Sequence, residues 1–260
     1  MRNSLSLDGK VVVQIGGSGL LGRAMARDLA AVGANLVIAS RNPANVADAV
    51  AAGRQAGHII SAESVDITDE KSVAALIQAV QSKHGRVDGM VFNAVSRPMG
   101  GAASPLEGWR ESMRVNADGL YLCLQLFADA MAAQPAGGSI VNLSSMMGMV
   151  GPNPANYEGT TMGTVPDYFF HKAGMIQLTR YYASLYGLKK VRVNAVSPGG
   201  IFNPEKPQAD AFLARYNKMT MLGRMADAPE ISGAVVFLLS DASTYVTATN
   251  IPVDGGYTAK

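Results

Sequence analysis

Tyr168 and Lys172 are the two residues whose types and spacing most directly suggest chemistry. They lie four positions apart in a segment, 167–186, whose pattern predicts a helix, so their side chains should share one face. A phenol ordinarily has a pKa near 10, which is too high for an efficient base at neutral pH. A nearby ammonium group stabilises the phenolate and brings such a pKa towards the working range. The pair could therefore exchange a proton with an alcohol or carbonyl oxygen, or it could be a surface pair of no consequence.

Two neighbouring side chains compete for the same role. Tyr157 is excluded because the residue four positions later, Thr161, carries no charge and the surrounding sequence predicts a loop. His171 is an alternative base, since histidine titrates near neutral pH. It adjoins Lys172, however, and Tyr168 already fits the role, so the tyrosine is the favoured acid/base.

A glycine-rich turn follows the first predicted strand, Val11–Ile15, and leads into a predicted helix over 20–32. Glycines at 16, 19 and 22 allow a tight turn, the close approach of a pyrophosphate, and close packing of the helix on the strand. The helix N-terminus offers free N–H groups and the positive end of the helix dipole. The arrangement predicts a dinucleotide site, with a glycine turn that binds no ligand as the alternative.

The end of the second predicted strand, 35–39, bears on which dinucleotide is bound. NAD-preferring sites usually have Asp or Glu there to accept from the ribose 2′-hydroxyl, but this chain has Ser40-Arg41, and the next acid is Asp48. Arg41 could pair with a 2′-phosphate and Ser40 could donate to it. We therefore predict that NADP(H) is preferred and NAD(H) possible, the alternative being that Arg41 is a solvated surface arginine.

The elements that position these residues alternate between short strands and longer helices. Further strands are predicted at 58–63, 87–92, 139–143, 191–196 and Asn250–Val253. Further helices are predicted at 44–55, from 68 or 69 to 83, twice within 105–133, and at Pro229–Leu239. Strands separated by helix-length segments indicate βαβ units. We predict an α/β fold: one doubly wound Rossmann-type domain spanning 1–260, with a parallel sheet and helices on both faces.

Composition narrows the function classes. The chain has 260 residues with 22 Lys+Arg against 20 Asp+Glu, and the basic residues are scattered, so we expect no nucleic-acid partner. The one cysteine, Cys123, cannot form an internal disulfide or a cysteine zinc site, and its apolar surroundings predict a buried thiol. No uncharged apolar stretch approaches ~18 residues. We expect a cytoplasmic protein with no membrane segment and no metal.

Taken together, the motifs resemble those of the short-chain dehydrogenase/reductase family, nearly from end to end. The resemblance is carried by Gly16 to Gly22, Asp66 in the run 65–68, Asn93-Ala94, Asn116, Asn142-Leu-Ser-Ser145, Tyr168 with Lys172, Arg192-Val-Asn194, Ser197-Pro-Gly199 and Asp254-Gly-Gly256. It implies that the tyrosine exchanges a proton with the substrate oxygen while a hydride moves to or from a nicotinamide.

The same resemblance implies roles for individual residues. Lys172 would bind the nicotinamide ribose and favour the tyrosine phenolate, Ser145 would hold the substrate oxygen, and Asn116 would support a water relay behind the lysine. Asp66 would touch the adenine, and Pro198-Gly199 would close over the nicotinamide. The expected cofactor contacts are Gly16, Ser18, Gly19, Leu20, Leu21, Gly22, Ser40, Arg41, Asp66, Ile67, Asn93, Ala94, Tyr168, Lys172, Pro198, Gly199 and Ile201.

Some positions depart from the family pattern without removing a catalytic group. The middle glycine stands at 19, a spacing closer to the epimerase-like branch. His171 replaces a small residue before the lysine, and Ala248 replaces a glycine near the C-terminus. A sugar-nucleotide epimerase or dehydratase is therefore one alternative function. A non-enzymatic dinucleotide-sensing protein is another, but it predicts a damaged Tyr/Lys/Ser/Asn set, and all four residues are present.

The substrate prediction depends on two segments. Tyr168 follows Ser145 by 23 positions, which is longer than usual for the family. The loop 148–166 should therefore lie beside the reacting carbonyl, where its polar groups suit a polyhydroxylated substrate, or it makes a subunit contact. The stretch 199–226 resembles a branch acting on carbohydrates, and about 199–222 should form a lid that orders on substrate binding.

The reaction that these patterns favour is the interconversion of a secondary alcohol and a ketone in a small-molecule substrate, namely a sugar, sugar acid or polyol. Family members commonly associate through helices that correspond to those within 105–133 and 167–186. These helices are long and apolar in this chain. We therefore expect a homotetramer or a homodimer.

Overall fold

The computed structural model describes residues 4–260. Seven parallel strands form one sheet in the order β3-β2-β1-β4-β5-β6-β7. The strands are β1 Val11–Ile15, β2 Asn35–Ser40, β3 Ile60–Ser64, β4 Gly89–Phe92, β5 Gly138–Leu143, β6 Val191–Pro198 and β7 Asn250–Val253. The predicted doubly wound parallel sheet is confirmed.

The order of the strands reverses between β1 and β4, and this reversal decides where a ligand can bind. Chain connections leave β1 towards one edge of the sheet and β4 towards the other, which opens a crevice at the carboxyl ends of these two strands. Both strands are buried along their whole length, as expected for a parallel sheet covered on both faces. The turn 16–22 follows β1, and Asn93-Ala94 follows β4, so both line the crevice.

Eight α-helices cover the two faces of the sheet. They are α1 Leu20–Ala31, α2 Ala47–Gln55, α3 Glu70–His84, α4 Leu106–Met113, α5 Gly119–Ala132, α6 Pro166–Tyr186, α7 Asp210–Met219 and α8 Pro229–Leu239. Buried side chains of α3, α5 and α6 form one core with the sheet, and those of α1, α2 and α8 form the other. Cys123 lies fully buried in the first core, as predicted.

The structure differs from the prediction in two segments. The stretch 198–221, for which no helix was predicted, contains α7. Its Phe212 and Tyr216 form a small third core with Met146, Met225 and Tyr257. Met146 and Tyr257 are distant in sequence, so the apolar pattern within 198–221 alone did not reveal the helix. The two helices predicted within 105–133 are joined by a π-helical turn, Arg114–Asp118. Asn116 lies in this turn.

Candidate active site

The turn after β1 admits only glycine at two of its three predicted positions. Gly16 has a φ of +87°, and a Cβ there would lie 2.7 Å from the backbone N of Ala94. A Cβ on Gly22 would lie 2.7 Å from the carbonyl oxygen of Gly16. Asn93 Nδ2 donates to the same carbonyl at 2.7 Å. The turn is thus packed against β4 and against the start of α1.

Gly19 is different, because no atom lies within 4 Å of the place where its Cβ would be. It directly precedes α1, whose N-terminus has no side-chain cap and no acidic residue in its first turn. The first N–H groups of a helix have no partner within the helix, and together with the helix dipole they favour an anion. The open space and the uncapped N-terminus fit the pyrophosphate of a dinucleotide.

A cleft of about 680 Å³ extends from this turn along the carboxyl ends of β2, β3 and β4. Twelve of the predicted cofactor contacts line it: Gly16, Ser18, Gly19, Leu20, Leu21, Gly22, Ser40, Arg41, Asp66, Ile67, Asn93 and Ala94. Residues that the sequence analysis missed line it too, notably Asn42, Asn45, Thr68, Ser96, Arg97 and Arg114. All but Arg114 lie within five positions of a predicted contact. Their position just after the predicted strands could therefore have identified them as residues of the cleft.

The carboxyl ends of β2 and β3 carry polar side chains that line this cleft. Ser40 Oγ donates to the carbonyl of Asn42 at 2.9 Å, so its proton is used within the protein rather than free for a phosphate. The guanidinium of Arg41 is exposed and makes no ion pair or hydrogen bond with any residue in 4–260. Asp66 accepts from the N–H and hydroxyl of Thr68 at 2.9 and 2.8 Å. These bonds lower the pKa of the Asp66 carboxyl, helped by the charges of Arg114 and Arg41.

Tyr168 and Lys172 share one face of α6, as their spacing predicted. The Lys172 Nζ lies 5.7 Å from the centre of the Tyr168 ring and donates to the carbonyl of Leu143, at the end of β5, at 2.5 Å. Only 4% of Lys172 is exposed. Burial lowers the pKa of Lys172 to about 7, and the positive charge of Arg97 adds to the effect.

Ser145 is the second residue after the end of β5. It begins the 3-10 turn Met146–Gly148, where its Oγ accepts from the Met147 N–H at 3.1 Å. The preceding Ser144 Oγ donates to the carbonyl of Lys172 at 2.8 Å. A Cβ on Gly148 would lie 2.7 Å from that same carbonyl. The segment that carries Ser145 is therefore packed directly against the backbone of Lys172.

Asn116 ties the cleft to the start of α6. Its side-chain amide accepts from the N–H of Ser96 and donates to the Ser96 carbonyl, both at 2.8 Å. It also donates to Ser112 Oγ at 2.9 Å, and that hydroxyl donates to the buried Asp167 at 2.5 Å. Asp167 precedes Tyr168. Asn116 thus links the 93–97 segment to α6, while its part in a water relay remains a prediction.

His171 is buried against the ring of Tyr168 in an edge-to-face arrangement, with ring centroids 5.3 Å apart. Neither ring nitrogen has a hydrogen-bond partner among the residues described. Burial, together with the charges of Lys172 and Arg97, lowers the pKa of His171 to about 3. Such a weak base is poorly suited to general-base chemistry at neutral pH, which favours Tyr168 over the histidine.

Five of the predicted cofactor contacts do not line the 680 Å³ cleft: Tyr168, Lys172, Pro198, Gly199 and Ile201. The last three lie at the carboxyl end of β6, two strands from β4. Hydrogen bonds to β7 and α7 fix the backbone of this segment. The N–H of Gly199 donates to Val253 at 2.9 Å, and that of Gly200 donates to the hydroxyl of Tyr216 on α7 at 2.5 Å. Their contact with a nicotinamide therefore remains a prediction.

The loop 148–166 is less available to a substrate than its polar composition suggested. Asn156 is buried and donates to the hydroxyl of Tyr257 at 3.1 Å, and the ring of Tyr157 packs on Phe212 of α7 at 5.5 Å between centroids. Other parts of the loop line an apolar cavity of about 550 Å³ with Phe169 and Ala173. These two polar residues thus support α7 and the C-terminal segment.

Comparison with known proteins agrees with this geometry. A family model described as enoyl-(acyl carrier protein) reductase matches residues 18–258. The chain belongs to the short-chain dehydrogenase/reductase family. It is 36% identical to the 2,5-dichloro-2,5-cyclohexadiene-1,4-diol dehydrogenase of Sphingobium indicum, over 97% of this chain and 98% of that one. It is also 36% identical to the cis-4-hydroxycyclohexanecarboxylate dehydrogenase of Sinomonas cyclohexanicum, over 96% and 97% of the two chains.

The fold comparison extends this result to a ligand-bound relative. A crystal structure of a gluconate 5-dehydrogenase from Burkholderia cenocepacia, in complex with NADP and tartrate, superposes with a TM-score of 0.89 at 27% identity. The alignment covers 99% of this chain and 98% of that one. As a short-chain dehydrogenase/reductase, the chain is an oxidoreductase of alcohols and ketones that uses NAD(P).

Three further observations complete the description of this short-chain dehydrogenase/reductase. Ala248, which stands where the family pattern has glycine, has a φ of +61°. Within residues 4–260, no group of three or more His, Cys, Asp or Glu side chains is placed to hold a metal ion. Nor does any helix in the same range have the length and apolar character needed to cross a membrane.

Proposed function

We propose that this protein catalyses the NADP(H)-dependent interconversion of a secondary alcohol and a ketone, with Tyr168 as the acid/base. The observation that carries the proposal is the buried ammonium group of Lys172, 5.7 Å from the ring centre of Tyr168 on the same face of α6. An ammonium at this place favours the phenolate over the phenol. The tyrosine can then take a proton from an alcohol and return it to a ketone.

In the proposed mechanism, the residues that line the cleft from Gly19 to Ala94 would hold the dinucleotide, which would supply or accept the hydride when bound. Ser145 and Tyr168 both donate hydrogen bonds to the substrate oxygen, so they stabilise the alkoxide character that develops in the transition state. The charge of Lys172, 5.7 Å from the ring centre, would favour the phenolate of Tyr168, and its ammonium would bind the nicotinamide ribose when the cofactor is present. Asn116 keeps the 93–97 segment in place against α6 through its bonds to Ser96.

For the substrate, we propose a sugar, sugar acid or polyol, or a related cyclic alcohol. Support comes from the relatives, which act on a cyclic diol and on a cyclic hydroxycarboxylate, and from the fold match to a gluconate 5-dehydrogenase. The preference for NADP(H) is supported by the unpaired Arg41 and by the absence of an acid at the end of β2. The segment 199–222 is proposed as the lid over the substrate.

We further propose that the protein assembles as a homotetramer or homodimer through α5 and α6. Four large apolar or aromatic side chains on these helices are about half exposed or more: Tyr121, Phe170, Tyr181 and Leu185. Large exposed apolar side chains on neighbouring helices are typical of a protein interface. Light scattering coupled to size-exclusion chromatography measures the mass, and a monomer at micromolar concentration would contradict the proposal.

The activity is tested by mixing the purified protein with NADP+ and a panel of cyclic diols, polyols, sugars and sugar acids. Formation of NADPH in proportion to product indicates a dehydrogenase, whereas an epimerase turns over with no net change in cofactor. We expect Tyr168→Phe to lower kcat by about 10²–10⁴-fold, with the dissociation constant for NADP+ changed by less than about threefold.

Tyr157→Phe is the matched control, because it removes a phenol hydroxyl on the loop 148–166 and keeps the ring that packs on Phe212. It should retain the wild-type kcat. Full turnover by the Tyr168→Phe protein would overturn the mechanism.

A further inference from the structure

Arg97 is a cation at the reaction centre that the mechanism above does not use. It follows β4 in the segment 93–97, which lines the dinucleotide cleft. Its guanidinium carbon lies 4.9 Å from the centre of the Tyr168 ring. The side chain is exposed to solvent, so a molecule that binds beside Tyr168 can reach the guanidinium directly.

Arg97 also lacks the partner that most arginines of comparable exposure have here. Arg114 pairs with Glu111 at 2.9 Å and Arg224 with Glu230 at 2.6 Å. The guanidinium of Arg97 makes no ion pair or hydrogen bond with any residue in 4–260. The one carboxylate buried near this end of α6, Asp167, is bound to Ser112 Oγ at 2.5 Å.

The electrostatic balance around Tyr168 is therefore positive. Arg97 and Lys172 both lie within 6 Å of the ring centre. Burial is the main cause of the lowered pKa values of Lys172 and His171, and the charge of Arg97 lowers both further. Water screens this charge in the free protein. When a substrate displaces that water, a cation without a counter-ion is costly, and an anion on the substrate removes the cost.

The cofactor has its own anion site, because the uncapped N-terminus of α1 beside Gly19 suits its pyrophosphate. We propose that Arg97 binds a carboxylate of the substrate, so that the enzyme acts on hydroxy and oxo acids whose reacting carbon and carboxylate are parts of one small molecule. This inference rests on the proposed function. A guanidinium fits a carboxylate through two parallel N–H···O bonds, so Arg97 would orient the alcohol towards Tyr168 as well as bind it.

The test compares a cyclic hydroxy acid with an uncharged molecule of the same shape. We suggest cis-4-hydroxycyclohexanecarboxylate and its carboxamide, with gluconate and sorbitol as a second pair. In the wild type, kcat/KM for the acid should exceed that for the amide by about tenfold or more. The Arg97→Gln variant should lower this acid-to-amide ratio by about 10–100-fold, mainly through KM for the acid. Arg97→Lys keeps the positive charge but lacks the planar guanidinium, so its acid-to-amide ratio should lie between those of the wild type and Arg97→Gln.

Arg110→Gln is the matched control, since Arg110 is an exposed arginine on α4 that does not line the cleft. It should leave the ratio unchanged. If Arg97→Gln lowers kcat/KM equally for acid and amide and shifts the pH profile for both, Arg97 acts on Tyr168 or Lys172 and the proposal is wrong. A rise in the NADP+ dissociation constant with an unchanged ratio would assign Arg97 to the cofactor and would also overturn it.

A binding measurement separates this proposal from the proposed function. Calorimetry with cyclohexanecarboxylate and the NADP+-saturated protein requires no turnover, and Arg97→Gln should weaken that binding about tenfold or more. The proposed function fails if no alcohol in the panel yields NADPH. The Arg97 proposal fails if the wild type and Arg97→Gln bind cyclohexanecarboxylate equally well, or if neither binds it.

Discussion

The turn after β1 and the helix α6 carry the residues of one proposed reaction, but different physical constraints shape them. In the turn, Gly16 and Gly22 are required because a single additional carbon would strike backbone atoms at 2.7 Å. Along α6, the constraint is burial of ionisable side chains. Lys172 is buried with its ammonium on a carbonyl oxygen, and His171 is buried with neither ring nitrogen bonded.

This contrast explains why the two regions respond differently to change. Backbone fit in the turn depends on shape and is insensitive to pH. Burial along α6 changes the proton affinity of each group, so its energetics depend on pH and on the charges of its neighbours. Predictions that separate the effect of backbone packing in the turn from the effect of side-chain burial on α6 therefore test this comparison directly.

The largest expected effect concerns the glycines of the turn. Gly22→Ala places a methyl group against the backbone of Gly16 and Gly17 at 2.7–2.9 Å, so we expect a loss of about 1–3 kcal/mol in the free energy of unfolding. Gly19→Ala meets no atom within 4 Å and should keep stability within about 0.5 kcal/mol. It should nevertheless weaken NADPH binding by about tenfold or more, roughly 1.4 kcal/mol.

Denaturant unfolding and fluorescence titration with NADPH measure the two quantities. The pair of variants is its own control, since each is the same chemical change three positions apart. If Gly19→Ala bound NADPH as tightly as the wild type, the open space beside Gly19 would not be the pyrophosphate site.

The next effect concerns cofactor choice at the far end of the cleft. Arg41 has no partner among residues 4–260, so its charge is free for a 2′-phosphate. Arg41→Ala should weaken NADPH binding by about 10–100-fold, which is the range of one charged hydrogen-bonded contact, about 1.5–3 kcal/mol. NADH binding should stay within about twofold.

Arg180→Ala is the control for this experiment, because it removes one positive charge from an exposed position on α6. It should leave binding of both cofactors unchanged. Equal affinities of the wild type for NADPH and NADH would show that the end of β2 does not select the phosphate.

The same contrast decides what could be predicted from the sequence. The strands and the glycine turn were predictable, because burial periodicity and glycine spacing are local patterns. Val11–Ile15, Pro229–Leu239 and Asn250–Val253 have the predicted bounds. Twelve of the predicted cofactor contacts meet in one cleft because the ends of neighbouring parallel strands lie together.

What could not be predicted depends on partners far away in sequence. The helix α7 forms against Met146 and Tyr257, which no pattern within 198–221 reveals. Asn156 lies in a polar loop that the sequence assigns to the substrate, but its side chain donates to the hydroxyl of Tyr257, 101 residues later. Arg97 likewise becomes a candidate site residue only through its position over Tyr168, 71 residues later in the chain.

A pH experiment tests the burial side of the comparison. The pKa of His171 in the folded protein, about 3, lies far below its ordinary value of 6.5. Between these values the unfolded chain binds a proton that the folded protein does not. Stability from this group is therefore fully present above about pH 6.5 and is lost as the pH falls towards 3, with about 2 kcal/mol lost at pH 5.

His171→Leu removes the titrating group and fills the same space with carbon, and neither ring nitrogen gives up a hydrogen bond. The difference in unfolding free energy between pH 8 and pH 5 should therefore be about 2 kcal/mol smaller in the variant than in the wild type, as measured by urea unfolding at both pH values. Identical differences in the two proteins would show that the histidine titrates normally and is not constrained by burial.

The smallest expected effect concerns a strained backbone position outside the glycine turn. Ala248 has a φ of +61° and is held there by its N–H bond to Val193 at 2.9 Å. The left-handed conformation costs a residue with a Cβ about 1–2 kcal/mol, whereas glycine adopts it freely but loses more chain entropy on folding. Ala248→Gly should therefore raise the unfolding free energy by about 0.5–1 kcal/mol, because the relief of strain exceeds the entropy cost.

Ala52→Gly is the matched control for this change. Ala52 is exposed within α2 and has ordinary helical geometry, so the same substitution should lower the unfolding free energy by about 1 kcal/mol. Opposite signs for the two variants would show that conformation, and not the loss of a methyl group, decides the outcome. If both variants were destabilised alike, the methyl of Ala248, which packs against the core of α5 and α6, would outweigh the strain, and burial would dominate there as it does at Lys172.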